Sequence, residues 1–229
     1  MGFVAKDTGG SGDFKKVPSG VFIARCYQLV DFGTQLSTGQ YGEKQVHKIR
    51  IGFELFGEDE NGEPLEVEID GKKMPMTIGT TMNVSLHKKA GLRKMLEQWR
   101  GKPFTEAEAE GFDVAKLIGA YAMVNCTQSE GKEGKIYTNI AGLSPVPGAL
   151  KNSKPAGVHE FNVFDLDKPD DAVFAALPQW MQNTISQSPE YAAWRGLKPT
   201  TPAPVARAVA SQAPLGANGL AEAEDSIPW

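Results

Sequence analysis

Within residues 45–56, QVHKIRIGFELF, apolar side chains recur at every second position from Ile49 to Leu55, and any fold open to this chain must accommodate that pattern. Ile49, Ile51, Phe53 and Leu55 fall on one side, and Lys48, Arg50 and Glu54 fall on the other. A period of two predicts a strand with one buried and one wet face. Gly52 lies on the predicted wet face, where its missing side chain lets a flat group approach the backbone. Two cations beside that gap suit a strand that touches a polyanion, although an ordinary solvated face has the same composition.

Upstream, residues 1–17 are rich in Gly, Asp and Lys and predict a flexible arm. Gly9, Gly10 and Gly12 have neither the preceding strand nor the following GK[ST] of a phosphate loop. After a turn at Pro18, Ser19 and Gly20, the run VFIARCYQLVDFGTQ reads as a long first strand. Its alternation breaks between Tyr27 and Val30, which predicts a bulge or strong curvature. Residues 33–42, rich in Gly, Ser, Thr and Gln, read as a loop into the alternating strand.

Beyond the acidic turn GEDENGEP, a third β segment comes in pieces, residues 65–69 and 74–86, around Asp70 and Gly71. A helix follows, with Ser85 as a possible N-cap and Leu92, Met95, Leu96 and Trp99 as its apolar stripe. Trp99 is expected to plug the underside of the sheet, and Gly101 and Pro103 stop the helix. Residues 105–119 predict a second short helical region, broken at Gly111. Residues 120–127 and 135–143 predict a closing hairpin. Three β segments, a helical insertion and two more β segments describe a mainly β chain whose residues 18–147 form a five-stranded OB-like barrel.

Residues 148–195 read as a linker and a helical extension. Asp170 or Asp171 could cap its first helix, and Pro178 sits in the first turn of the next. Val173, Phe174, Leu177, Trp180, Met181 and Ile185 are too apolar to stay in water, so the extension is expected to dock on the barrel or on a partner. Residues 196–229 have the Ala, Pro, Gly and Thr content of a disordered tail. That tail finishes in AEAEDSIPW, where Glu222, Glu224 and Asp225 precede Ile227, Pro228 and Trp229. Acids followed by a bulky apolar end suit capture by an apolar pocket with a basic rim, against the plainer reading of a solubilising tail.

The net charge of −4 argues against a generally basic nucleic-acid binder. The imbalance is uneven: residues 1–150 carry 18 basic and 19 acidic side chains, and residues 151–229 carry 6 and 9. A local basic groove in the front part therefore remains open. Cys26 and Cys126 lie in strand-like runs without a CxxC or Cys/His cluster, so buried thiols in a reducing cytoplasm are expected rather than zinc. No signal peptide or membrane span is expected. His47, His87 and His159 lie in unrelated contexts, and no HExxH, GxSxG or Walker pattern occurs. The chain thus reads as a non-enzyme that needs no cofactor, with a metal-dependent nuclease built from scattered acids as a lesser alternative.

A binder of single strands needs cations along the phosphates and aromatic faces for the bases. Lys44, Lys48, Arg50, Lys72, Lys73, Lys132 and Lys135 are the candidate cations. Tyr41, His47, Phe56, Tyr121 and Tyr137 are the candidate stacking residues, each of which could equally be structural. His87, Lys88 and Lys89 at the helix start read as a solvated turn or as a phosphate contact.

The tail resembles the acidic tips of bacterial single-stranded-DNA-binding proteins, with Trp229 where those end in Phe and a weaker acidic run. The body resembles bacteriophage replication and recombination proteins with an OB-like core. That likeness is carried in order by VPSGVFIARC, VDFGTQ, HKIRIGFEL, SLHKKAGLRKMLEQWRGKPFT, FDVAKLIGAYAMVN and GKIYTNIAGLSPVP. It implies single-stranded-DNA binding in the cytoplasm of an infected bacterium, with replication or recombination proteins recruited through the tip. The rival expectation is a protein-interaction adaptor or virion structural module on the same barrel.

Overall fold

A computed structural model describes residues 15–39, 42–69, 71–131 and 134–197. Strands β1 (Gly20–Gly39) and β2 (Gly42–Phe56) form one long antiparallel ribbon, paired from Ile23 with Phe56 to Gly39 with Gly42. The stretch read as a loop is therefore mostly ladder: its small polar residues resemble a turn in composition, but their backbone groups pair across the ribbon. Strand β3 (Glu66–Ile69) and β4 (Lys72–Pro75) make a separate two-stranded sheet. Strand β5 (Thr77–Asn83) pairs with β2, and β6 (Tyr121–Glu130) and β7 (Ile136–Ser144) continue from β1, giving the order β5-β2-β1-β6-β7. Among the described residues no ladder joins β5 to β7, so the sheet is open.

The alternation of β2 holds on its apolar side. Ile49, Ile51, Phe53 and Leu55 are buried with Ala24, Cys26 and Val124 in a first core. Helix α1 (Gly91–Arg100) lays Leu92, Met95, Leu96 and Trp99 against that core. Trp99 is tilted on Phe53, with ring centroids 5.3 Å apart, and its indole N–H donates to the Tyr121 carbonyl at 2.9 Å. A buried indole needs such an acceptor, because an unmade hydrogen bond there costs about 1–3 kcal/mol. The helix begins at Gly91 rather than at Ser85, whose hydroxyl instead accepts from the His87 amide. Helix α2 (Glu106–Glu110) starts from a Thr105–Glu108 capping box and ends at Gly111, before a 3-10 turn at Val114–Leu117.

Residues beyond 147 return to the sheet. Strand β8 (Asn162–Phe164), absent from the sequence reading, pairs in parallel with Gln28, Leu29 and Val30 of β1. Helices α3 (Asp171–Ala176), α4 (Gln179–Ile185) and α5 (Pro189–Trp194) follow, with Asp170 and Ser188 capping the first and last. A second core joins Val30 and Phe32 of β1 to Phe164, Leu166, Phe174, Leu177, Met181 and Ile185. The expected docking thus occurs on the chain's own sheet. A register shift between Cys26 and Gln28 places a bulge at Tyr27, inside the predicted interval. Before it Phe22, Ala24 and Cys26 enter the first core; after it Leu29 does, while Val30 and Phe32 enter the second.

Cys26 and Cys126 are free and buried, and burial pushes their thiols up to about 12 and about 11. Among the described residues no helix is long and apolar enough to cross a membrane.

Candidate nucleic-acid interface

The face of β2 expected to be wet is largely covered, by the extension over Arg50 and Glu54 and by Gln28 of β1 over Gly52, and Lys48 is buried too, which corrects the reading of Lys48, Arg50 and Gly52. The space over Gly52 is filled by the Gln28 side chain, whose Cβ and Oε1 lie 3.0 Å from where a Cβ would stand. Glu54 is fully buried. It forms an ion pair with Arg25 and accepts from the amides of Val158 and His159 at 3.1 and 2.9 Å. Arg25 also donates to the His159 carbonyl at 2.5 Å, and Gly157 lies so close that an added Cβ would overlap the guanidinium. The His159 ring lies on Tyr27 at 4.9 Å. These polar side chains look solvated in the sequence because each finds its partner about a hundred residues away, which is how buried charge is tolerated.

Arg50 lies along Gly79 of β5, one nitrogen 2.7 Å from where a Cβ would stand, with the Trp180 ring of α4 4.9 Å above. Desolvation lowers its pKa. Lys48 is only 8% exposed, and among the described residues it meets no carboxylate. His47 is held by two acids, with Nε2 2.7 Å from Asp31 Oδ1 and Nδ1 3.8 Å from Glu190 Oε1. The Asp31 hydrogen bond is the main cause of its raised pKa, with Glu190 and Asp167 adding to it. Glu190 also accepts from the amide and hydroxyl of Thr34, at 2.9 and 2.6 Å. Gly33, at φ 67°, lets Ser188 come within 2.7 Å of the position a Cβ would take.

The other candidates are scattered. Phe56 is half-buried at the end of β2, opposite Ile23. Tyr121 donates its hydroxyl to the Pro155 carbonyl at 2.5 Å and carries Lys154 5.1 Å from its ring centre. It is a seat for the linker rather than an open platform. The half-buried Tyr137 ring lies against the Gly131 backbone. Lys44, Lys72, Lys73 and Lys135 are exposed, and Lys73 reaches Glu66 at 4.0 Å. Tyr41, Lys132, Glu222, Glu224, Asp225, Ile227, Pro228 and Trp229 lie outside the described residues. Among the described residues, therefore, the proposed cations and aromatics are not gathered into one channel over β2.

What it presents there is Trp180, which the apolar pattern assigned to a core. It is 38% exposed and seated on Arg50, with its ring and that of Phe32 at 82° to each other, centroids 5.9 Å apart. Its helical spacing with Leu177 and Met181 gave no signal of this, because the cation that holds it comes from β2. Beside it on β5 stand Thr81 and Asn83, opposite Arg50 and Lys48 in the ladder and both half-buried. The Thr81 hydroxyl is buried without a hydrogen-bond partner among the described residues. Such a face offers a fixed π-surface flanked by cationic and polar groups, the elements that hold an unpaired base and its phosphate.

Among the described residues no group of three His, Cys, Asp or Glu side chains is placed to hold a metal ion. In comparisons with known proteins, no family model and no curated sequence matches the chain.

Proposed function

We propose that the protein binds single-stranded DNA with little sequence preference, stacking bases on Trp180. The observation that carries this reading is a part-exposed indole held by the Arg50 guanidinium over its ring and by the Phe32 ring packed perpendicular to it. A platform fixed in advance loses little entropy when a base lands on it. The strand order, with helices between β5 and β6, fits an OB barrel left open between β5 and β7, a common seat for single strands. The resemblances of body and tip support a role in bacteriophage replication or recombination, with Glu222, Glu224, Asp225, Ile227, Pro228 and Trp229 recruiting a partner.

The test is titration of the full chain with oligo-dT, followed by tryptophan fluorescence. Trp180→Ala is expected to remove most of the quench and weaken binding roughly 5- to 150-fold, the worth of one stacked base. Trp180→Phe should retain much of the affinity. Unchanged affinity in Trp180→Ala would refute the reading. The adaptor or virion-module reading is favoured by one observation: residues 155–194 already occupy the face expected for a polyanion. It predicts no saturable binding of oligo-dT by parent or variant.

A further inference from the structure

Among the Phe, Tyr and Trp rings of the described residues, two are exposed: Phe161 at 55% and Trp180 at 38%. A single exposed aromatic is ordinary. Here both come from the extension, and both lie against an arginine of the sheet. The Arg25 guanidinium carbon stands 4.8 Å from the centre of the Phe161 ring, and that of Arg50 stands 4.9 Å from Trp180. A cation over one face holds a ring through its quadrupole. With more than half of its surface in water, Phe161 keeps its other face open to a second flat group.

The Phe161 ring is fixed from more than one direction. Arg25 is locked by its ion pair with buried Glu54 and by the His159 carbonyl, so the cation beside the ring does not wander. At the ring's edge, Cζ lies 3.3 Å from where a Cβ on Gly119 would stand, and Gly119 at φ 78° allows that approach. Gly119 is itself tied to β1, its amide donating to the Cys26 carbonyl at 2.8 Å. The arginines beneath both rings project from one face. Arg25 pairs with Glu54 across the ladder, and Glu54 and Arg50 share the side of β2 turned away from the first core. Those two positions are about 13 Å apart along the strand.

Resting on the reading of Trp180 above, we infer that Phe161 is a second stacking platform for the same single strand, taking a different base from the one on Trp180. The separation suits one strand, since a barrel of this type covers about 4–16 nucleotides. Phenylalanine offers a base only a flat apolar face, so the second platform adds affinity without sequence preference. Arg25, neutralised by Glu54, fixes the platform rather than binding a phosphate. The strand is thus held at two points on rings that the extension lays over the sheet.

The experiment titrates the full chain with dT oligomers of about 4 to 16 nucleotides. Phe161→Ala is expected to weaken the longer oligomers roughly 5- to 150-fold. The shortest, which rests on one platform at a time, should change by about twofold at most. Phe161→Leu separates stacking from packing: it keeps apolar bulk on Arg25 without a π-face, so it should lose as much as Phe161→Ala, whereas Phe161→Tyr should keep most of the affinity. In a Trp180→Phe chain, Phe161→Trp should create a new fluorescence quench on binding. Parental affinity for the longer oligomers in Phe161→Ala or in Phe161→Leu would overturn the second platform. If Trp180→Ala still lost its affinity in that case, the stacking reading would stand without it. Unchanged affinity in Trp180→Ala, or no binding of oligo-dT by the parent, would overturn both. Loss of self-association in Phe161→Ala with DNA affinity intact would also overturn the second platform, because Phe161 and its exposed neighbours Val158 and Val163 would then mark a contact between copies.

Discussion

Gly157→Ala should be among the most damaging single-methyl additions in this chain, although the residue lies in a segment that reads as linker. Its Cβ would overlap the Arg25 guanidinium, and Arg25 is not free to step aside. Its partner Glu54 has 0% exposure, and its own side chain is only 12% exposed. If the guanidinium leaves, Glu54 is stranded in the interior, which costs about 3–5 kcal/mol. If the linker lifts instead, the bonds from Arg25 to His159 and from the Val158 and His159 amides to Glu54 are lost. Each is charge-assisted and worth about 1.5–3 kcal/mol before water replaces it. The cheaper route still removes about 3 kcal/mol, or roughly 6–12 °C in Tm for a domain of this size. Thermal or urea unfolding of the full chain reads this directly. Glu54→Gln removes the same clasp from the other side, so the double variant should lose much less than the sum of the two. A Tm within about 2 °C of the parent for Gly157→Ala, or full additivity in the double variant, would refute the clasp.

Two further perturbations address the other end of the extension. Gly33→Ala places a side chain at φ 67° and against Ser188, so it should cost at least about 1–2 kcal/mol and raise hydrogen exchange in α5 before that of the first core. His47 has a raised folded pKa, so its contribution is fully present below the ordinary value of 6.5 and fades as pH rises through the raised one. The stability difference between parent and His47→Gln should accordingly shrink from mildly acid to mildly alkaline pH in urea titrations; parallel profiles would refute the two-acid arrangement of Asp31 and Glu190.

The apolar half of the architecture was legible because it obeys local rules. Alternation placed Ile49, Ile51, Phe53 and Leu55 inward, the broken alternation marked the interval from Tyr27 to Val30 in which the bulge falls, and helical spacing put Trp99 under the sheet. The polar half was not, because Arg25, Glu54 and His47 look solvated until partners from residues 158–190 are in place. Strand β8 was missed since three residues are too few to show a period, and its pairing with β1 is set by the neighbouring second core. The same distance in sequence hid Trp180: its exposure depends on where Arg50 stands.

The single extra residue at Tyr27 gives β1 a change of parity. Even-numbered side chains serve the first interior up to Cys26, and from Val30 even numbers serve the second. Without that hand-off a continuous strand would send Val30 and Phe32 inward with Ala24 and turn Leu29 out. That inserted amino acid, followed by a second register shift between Asp31 and Gly33, lets one piece of backbone act as a party wall between two hydrophobic rooms.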